Sequence, residues 1–273
     1  MNFIPLTSLP RTGSTLLLYV LNQNPIFEIG PDSEIGSFLY HNKKFIKDNI
    51  HHFQLPHQKV DVCFKEFCRK GTEAWINQLI PPNKIFVDKS RHWLKDLDYH
   101  FHLFPNNRVL ITIRDLRSIV NSFEKIHNAS FYVDRQEFHR DMDAHIQFHR
   151  VSSIFDLSYF REGLFSLKEL IDLRKRFRNQ IKICRYEDLI SNPHKFTSDI
   201  YSFLELPQFE HDFNSIKQGS YYDNPYQPYG NHKIRESISP EQQSFSELDD
   251  EAQSFIINKY YWYYSEFYPE VIL

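Results

Sequence analysis

The chain has 273 residues, enough to bury a sizeable core within a single α/β domain. Hydrophobic residues make up 41%, which excludes a disordered chain. A formal net charge of −3 excludes a general nucleic-acid coat, so basic groups that hold an anion must be local.

Aromatic residues reach 16%, with 25 Phe and 16 Tyr, enough rings to line both a core and its clefts. The longest wholly apolar stretch, Leu16 to Leu21, is far too short to span a bilayer. Phe3 already begins a strand where the apolar region of a leader would stand. Three cysteines, Cys63, Cys68 and Cys184, give an odd count with no framework, and Cys63-x4-Cys68 reads as core packing. The expectation is a reduced, cytoplasmic setting with no membrane and no nucleic acid as partner.

In chain order, Phe3 to Leu9 reads as a buried strand, Pro10-Arg11-Thr12-Gly13-Ser14-Thr15 as a turn, and Leu16 to Leu21 as the helix it opens. Pro31 to Asn49 reads as a loop feeding a helix. Lys59 to Ile80 carries Val60, Phe64, Phe67, Trp75 and Leu79 at roughly helical spacing and ends at Pro81-Pro82. Lys84 to Asp88 is a short strand, and His92 to Phe104 a helix stopped by Pro105. An apolar β-branched strand then runs from Arg108 into Arg114, and a helix follows with Ser122 about two turns in. Arg135 to Ser152 and Leu167 to Gln180 read as helices. Ile181 to Arg185 is a strand leading straight into Tyr186-Glu187-Asp188-Leu189, and Asn192-Pro193 opens a helix ending near Leu206-Pro207. Gln208 to Ser239 is loop-like, with Gly219, Pro225, Pro228 and Gly230 among tyrosines. Phe245 to Phe267 reads as a final helical region. Alternating strands and helices predict a P-loop-like, three-layer α/β fold: a central parallel sheet flanked by helices, with sites at the carboxyl ends of its strands. The whole of 1–273 reads as one domain, with a C-terminal lid and helical region over about 208–273.

The first strand–loop–helix unit presents backbone N–H groups and the positive end of a helix dipole to an anion. Arg11 adds a forked, permanently charged donor suited to phosphate or sulfate oxygens. The Walker pattern G-x-x-x-x-G-K-[ST] is absent, since the loop has one Gly and no Lys follows it. A phosphate-like group is expected here, held otherwise than in a nucleotide kinase.

Three segments in order resemble the sulfotransferase family that uses 3′-phosphoadenosine 5′-phosphosulfate (PAPS). Arg11, Thr12, Gly13, Ser14 and Thr15 match its 5′-phosphosulfate loop. Arg114 and Ser122, eight positions apart after a strand, match its 3′-phosphate pair. Arg185-Tyr-Glu-Asp-Leu matches a strand-end motif in which the tyrosine, here Tyr186, lies near the nucleotide. Pro10-Arg11 and Asn24-Pro25 echo the tyrosylprotein and related bacterial branch, although tyrosylprotein enzymes work in the secretory pathway. The landmarks span residues 3 to about 206.

The resemblance implies in-line sulfuryl transfer to a hydroxylated small molecule, glycan or peptide, with 3′,5′-ADP as product and no metal. Lys89, at a strand end and 25 residues before Arg114, resembles the branch's catalytic lysine. Asp32, in Gly30-Pro31-Asp32-Ser33-Glu34, aligns with the branch's catalytic carboxylate, with Glu34 in reserve. Asp32-Ser33 equally fits a cap for the helix beginning near Glu34. The cytosolic branch uses histidine as base, which keeps His92 and His102 among 14 histidines open. Lys233 and Arg235, flanking Ile234, resemble the basic segment that closes the family's nucleotide site, and a solvated basic loop fits them as well. Tyr221, Tyr222, Tyr226 and Tyr229 suggest a ring-lined lid.

Asp141, His145 and His149 recur at i, i+4 and i+8, with His139 nearby, a spacing that can hold a metal. No Glu stands between the histidines and the flanks are polar, so a solvated helix face explains them better. Beside the sulfotransferase reading stand a P-loop-like nucleotide kinase or NTPase, which Mg²⁺-dependent ATP hydrolysis would reveal, and a nucleotide- or sulfate-binding relative that has lost catalysis.

Overall fold

The computed structural model describes residues 3–30, 33–129, 147–218, 234–239 and 245–273. Its centre is a five-stranded, wholly parallel sheet: β1 (Phe3–Ser8), β2 (Phe27–Gly30), β3 (Ile85–Lys89), β4 (Val109–Ile113) and β5 (Ile181–Arg185), in spatial order β2-β3-β1-β4-β5. All six residues of β1 and all five of β4 are buried, as strands covered on both faces must be. Register places Leu6 of β1 opposite Lys89 on one side and Leu110 on the other.

Side-chain alternation separates the two faces. Ile4, Leu6, Val87 and Leu110 point into one cluster with α1 (Ser14–Leu21), α9 (Tyr186–Ser191) and α10 (Pro193–Leu204). Val109, Ile111 and Ile113 point the other way, against α6 (Leu116–Ala129), α7 (Gln147–Asp156), α8 (Ser158–Arg176), α11 (Asp250–Lys259) and α12 (Tyr261–Phe267). Phe3 and Phe86 continue that second face under α2 (Ile35–Asn49), α3 (His57–Leu79) and the short α4 (His92–Lys95) and α5 (Leu97–Leu103). The chain leaves β1 toward β2 and leaves β4 toward β5, in opposite directions. The carboxyl ends of β1 and β4 therefore flank the crevice where such sheets bind ligands.

The α/β expectation holds, and several element boundaries shift. The strand Phe27–Gly30 was not foreseen: it has four residues, and its pairing with Ile85–Asp88 is set by partners distant in sequence. The helix expected over His92–Phe104 is two helices, because Asp96 leaves helical geometry (φ −152°, ψ 55°) and its carboxylate accepts from Tyr99 N. The helix expected from Leu167 starts at Ser158, since Phe160, Leu164, Leu167 and Leu170 form one continuous buried stripe. The region Phe245–Phe267 divides at Tyr260, and α11 starts only after Asp249, whose side chain accepts from Ala252 N at 2.7 Å. Of the helix expected over Arg135–Ser152, residues 135–146 lie outside the described residues, and the rest runs on to Asp156.

The apolar residues of α3 do not all face inward. Val60, Cys68, Thr72 and Ile76 form its buried stripe, while Phe67, Trp75 and Leu79 are 59%, 53% and 48% exposed. Cys68 is core as expected; Cys63 is exposed. Among the described residues no helix is long and apolar enough to cross a membrane.

Candidate functional site

The loop from β1 to α1 is held from below by hydroxyls. Thr12 Oγ1 donates to the Leu9 carbonyl at 3.0 Å and lies 2.8 Å from Thr112 Oγ1. A hydroxyl has one hydrogen, so Thr112 is the donor in the second contact. Ser8 Oγ donates to Ser14 Oγ at 3.1 Å. Thr12 and Ser14 are thus buried and engaged in fixing the loop, while Arg11, Gly13 and Thr15 are half-buried. Gly13 lies just before α1 with φ +82°, and a Cβ there would come within 2.4 Å of Tyr186 Cδ2. Only glycine suits both that backbone and that contact. The first N–H groups of α1 have no acceptor within the helix and point out of its start.

Arg11 itself has φ +63°, an uncommon backbone for a residue with a side chain. Its Nε donates to Ser122 Oγ at 3.0 Å, and its carbonyl accepts from Arg114 Nη1 at 3.1 Å. Arg114 Cζ stands 4.2 Å from the centre of the Tyr186 ring, a cation–π distance. The loop after β1, the end of β4, the second turn of α6 and the start of α9 therefore meet at four residues: Arg11, Ser122, Arg114 and Tyr186. These are the residues that the three sequence segments single out, and Arg11 lies more than a hundred residues before the other three. The buried Nε of Arg114 has no partner among the described residues. A buried guanidinium donor of this kind suits an anion bound beside it.

A protein-family model described as the sulfotransferase family matches residues 4–211, about three quarters of the chain. The chain belongs to the sulfotransferase family. The sulfotransferase domain of the Synechococcus PCC 7002 olefin synthase is similar in fold, with a TM-score of 0.55 at 16% identity over 95% of this chain and 94% of that one. The sulfotransferase domain of the curacin biosynthetic pathway has a TM-score of 0.52 at 17% identity, over 95% and 96% of the two chains. No curated protein matches the sequence. These likenesses establish family and fold; none of them singles out the tyrosylprotein branch.

Lys89 is half-buried at the carboxyl end of β3, the strand beside β1. Asp32 lies outside the described residues. Its neighbour Ser33 is anchored: Ser33 N and Oγ donate to Asp88 Oδ1 and Oδ2 at 3.1 and 2.8 Å. Asp88 is fully buried and also accepts from Trp93 Nε1 at 2.8 Å, so its carboxylate organises the turn ahead of α2. Glu34, exposed at φ +57°, precedes that helix without a side-chain cap bond. His102 is exposed and contacts the Asp98 carbonyl through Nδ1 at 2.7 Å. Arg235 is exposed on 234–239, a segment joined to the neighbouring stretch by Ile216 N to the Glu236 carbonyl and Ile238 N to the Phe213 carbonyl. Lys233, the tyrosines Tyr221, Tyr222, Tyr226 and Tyr229, and His139, Asp141 and His145 lie outside the described residues. His149 is exposed at the start of α7.

Sequence reasoning missed a second layer of polar groups. Asp115, 1% exposed, binds Arg117 through both oxygens, with Arg117 Nη2 at 2.6 Å. Glu187 Oε1 accepts from Asp115 N at 3.1 Å, and burial raises the Glu187 carboxyl above its ordinary pKa. Glu187 stands beside Tyr186 in a recognised motif, which was the available signal. Asp115 gave none.

Proposed function

We propose that this sulfotransferase moves a sulfuryl group from PAPS to a hydroxyl acceptor, by in-line displacement and without a metal. The observation that carries the reading is the junction of Arg11, Ser122, Arg114 and Tyr186. Two fixed guanidinium groups, a hydroxyl, an aromatic face and a helix start make a donor set for an adenine nucleotide with phosphate at both ends.

The bound donor supplies an electrophilic sulfur and a phosphate leaving group; the protein's share is positioning and charge neutralisation. Arg11 and the amides of Gly13, Ser14 and Thr15 hold the 5′ end. Arg114 and Ser122 hold the 3′-phosphate, and Tyr186 packs beside the nucleotide. Lys89, on the strand next to β1, neutralises charge on the leaving oxygen. Asp32 takes the proton of the acceptor hydroxyl, with Glu34 as the reserve carboxylate, and Lys233 and Arg235 close the nucleotide site. The acceptor is a hydroxylated small molecule, glycan or peptide. Three free cysteines agree with a reduced, cytoplasmic setting.

Calorimetric titration tests the reading directly. 3′,5′-ADP, the expected product, should bind much more tightly than 5′-AMP, and Arg114→Ala should remove about 1.5–3 kcal/mol of that preference, the size of a charge-assisted contact. Equal affinity of the wild type for the two nucleotides would overturn the assignment.

A further inference from the structure

Helix α12 lies well beyond residue 211, where the family match ends. It nevertheless reaches the Arg114 end of the site through two hydroxyls of its own and that of Tyr268, the residue that follows it. Tyr263 OH donates to the Arg114 carbonyl at 2.9 Å, Tyr264 OH to Asp115 Oδ1 at 2.9 Å, and Tyr268 OH to Glu187 Oε2 at 2.8 Å. Glu187 closes the circuit through Asp115 N.

All three tyrosines are at most 1% exposed, and burial raises each hydroxyl above its ordinary pKa, so they act as neutral donors. The rings of Tyr263 and Tyr268 stack at 5.8 Å with an interplanar angle of 20°, and the Arg185 guanidinium covers Tyr268 at 4.2 Å. Arg185 also pairs with Glu270. The helix is thereby fastened to the ends of both β4 and β5. Filling this space would need only apolar rings. Three hydroxyls directed at two adjacent residues, Arg114 and Asp115, and at the carboxylate that binds the second of them do something more specific. They fix the backbone from which the Arg114 side chain departs.

We propose that Tyr263 and Tyr264 are positioning residues for the 3′-phosphate contact, making α12 a determinant of nucleotide specificity. The proposal rests on the donor-site reading above. Tyr263 holds the Arg114 carbonyl, and Tyr264 holds the carboxylate of the next residue, Asp115. Arg114 then keeps its guanidinium between the Arg11 carbonyl and the Tyr186 ring, where a 3′-phosphate can meet it. Loss of either hydroxyl loosens this aim without removing a charge or opening a cavity larger than one oxygen.

The test compares 3′,5′-ADP and 5′-AMP by calorimetry on wild type, Tyr263→Phe, Tyr264→Phe and Tyr261→Phe, with circular dichroism confirming the fold. Tyr263→Phe and Tyr264→Phe should each shrink the affinity ratio roughly three- to tenfold, the worth of one neutral hydrogen bond, entirely through 3′,5′-ADP. Tyr261, 58% exposed on the same helix, should leave the ratio unchanged when replaced by Phe. A preserved ratio in the folded variants, or equal weakening of both nucleotides, would overturn the positioning role. Should Tyr263→Phe fail to fold, Tyr264→Phe decides by the same ratio. A wild type with no preference instead overturns the donor-site reading, and the positioning role with it.

Discussion

Arg11 Nε donates to Ser122 Oγ at 3.0 Å across 111 residues of sequence, and the Arg11 carbonyl accepts from Arg114 at 3.1 Å. One residue of the first loop thus engages both members of the pair assigned to the 3′-phosphate. The two ends of the proposed nucleotide site share a hydrogen-bonded residue, and groups in one network couple energetically.

Coupling of this kind is measurable. Arg11→Ala and Ser122→Ala should each weaken 3′,5′-ADP binding, and the double variant should lose less than the sum. The expected interaction energy is about 0.5–3 kcal/mol, the range for groups in one network. Strict additivity in the calorimetric cycle would mean that the 3.0 Å contact has no energetic consequence for the nucleotide.

Gly13→Ala tests the loop's local strain. At φ +82° an alanine pays about 1–2 kcal/mol for its left-handed backbone alone. Its Cβ would also stand 2.4 Å from the Tyr186 ring, which is buried and faced by Arg114 at 4.2 Å. A lower Tm together with weakened 3′,5′-ADP binding is expected. A variant with wild-type Tm would show that the loop relaxes freely around the new side chain.

Acid stability should depend on His100. Burial among Phe3, Trp93, Phe101 and Phe104 lowers its pKa from 6.5 to about 3. His211, also buried, is lowered to about 4. The native state therefore binds fewer protons than the unfolded chain between roughly pH 6.5 and 3. The contribution of His100 is fully present above pH 6.5 and is lost as pH falls through that window, at up to about 1.4 kcal/mol per pH unit. In urea titrations at pH 7, 5.5 and 4.5, His100→Phe should show a shallower decline than the wild type. Parallel declines would remove His100 from the acid limb.

The parts of the site that could be read from sequence are those whose signal is local. Arg11 to Thr15 follow a strand and open a helix, and Arg114 and Ser122 stand at a fixed interval after another strand, so neighbours in the chain define each motif. The pairing of Phe27–Gly30 with Ile85–Asp88 has no such neighbour, nor does the docking of Tyr263 on the Arg114 carbonyl, 149 residues away. Contacts of that range depend on which faces of the sheet are already covered. Helix α3 illustrates the opposite error: Phe67, Trp75 and Leu79 have the spacing of a core stripe, but the core is met by the Val60, Cys68, Thr72 and Ile76 face. Hydrophobic period marks a helix without deciding which of two apolar stripes faces inward.

The acceptor's base is the last assignment to test. Ser33 is tied through N–H and hydroxyl to the buried Asp88 carboxylate, immediately before Lys89 in the chain. Asp32, the proposed base, is the residue before Ser33 in the sequence. Asp32→Asn should slow the chemical step by roughly 10²–10⁴-fold, the usual contribution of a general base, while leaving 3′,5′-ADP binding nearly intact. Single-turnover transfer of labelled sulfate from PAPS separates this step from binding, and it should proceed in wild type without Mg²⁺. Because Asp88, rather than residue 32, accepts the Ser33 bonds, the substitution should also leave Tm close to that of the wild type. Full turnover by Asp32→Asn would transfer the role to Glu34 or to a histidine, with Glu34→Gln as the next variant to measure.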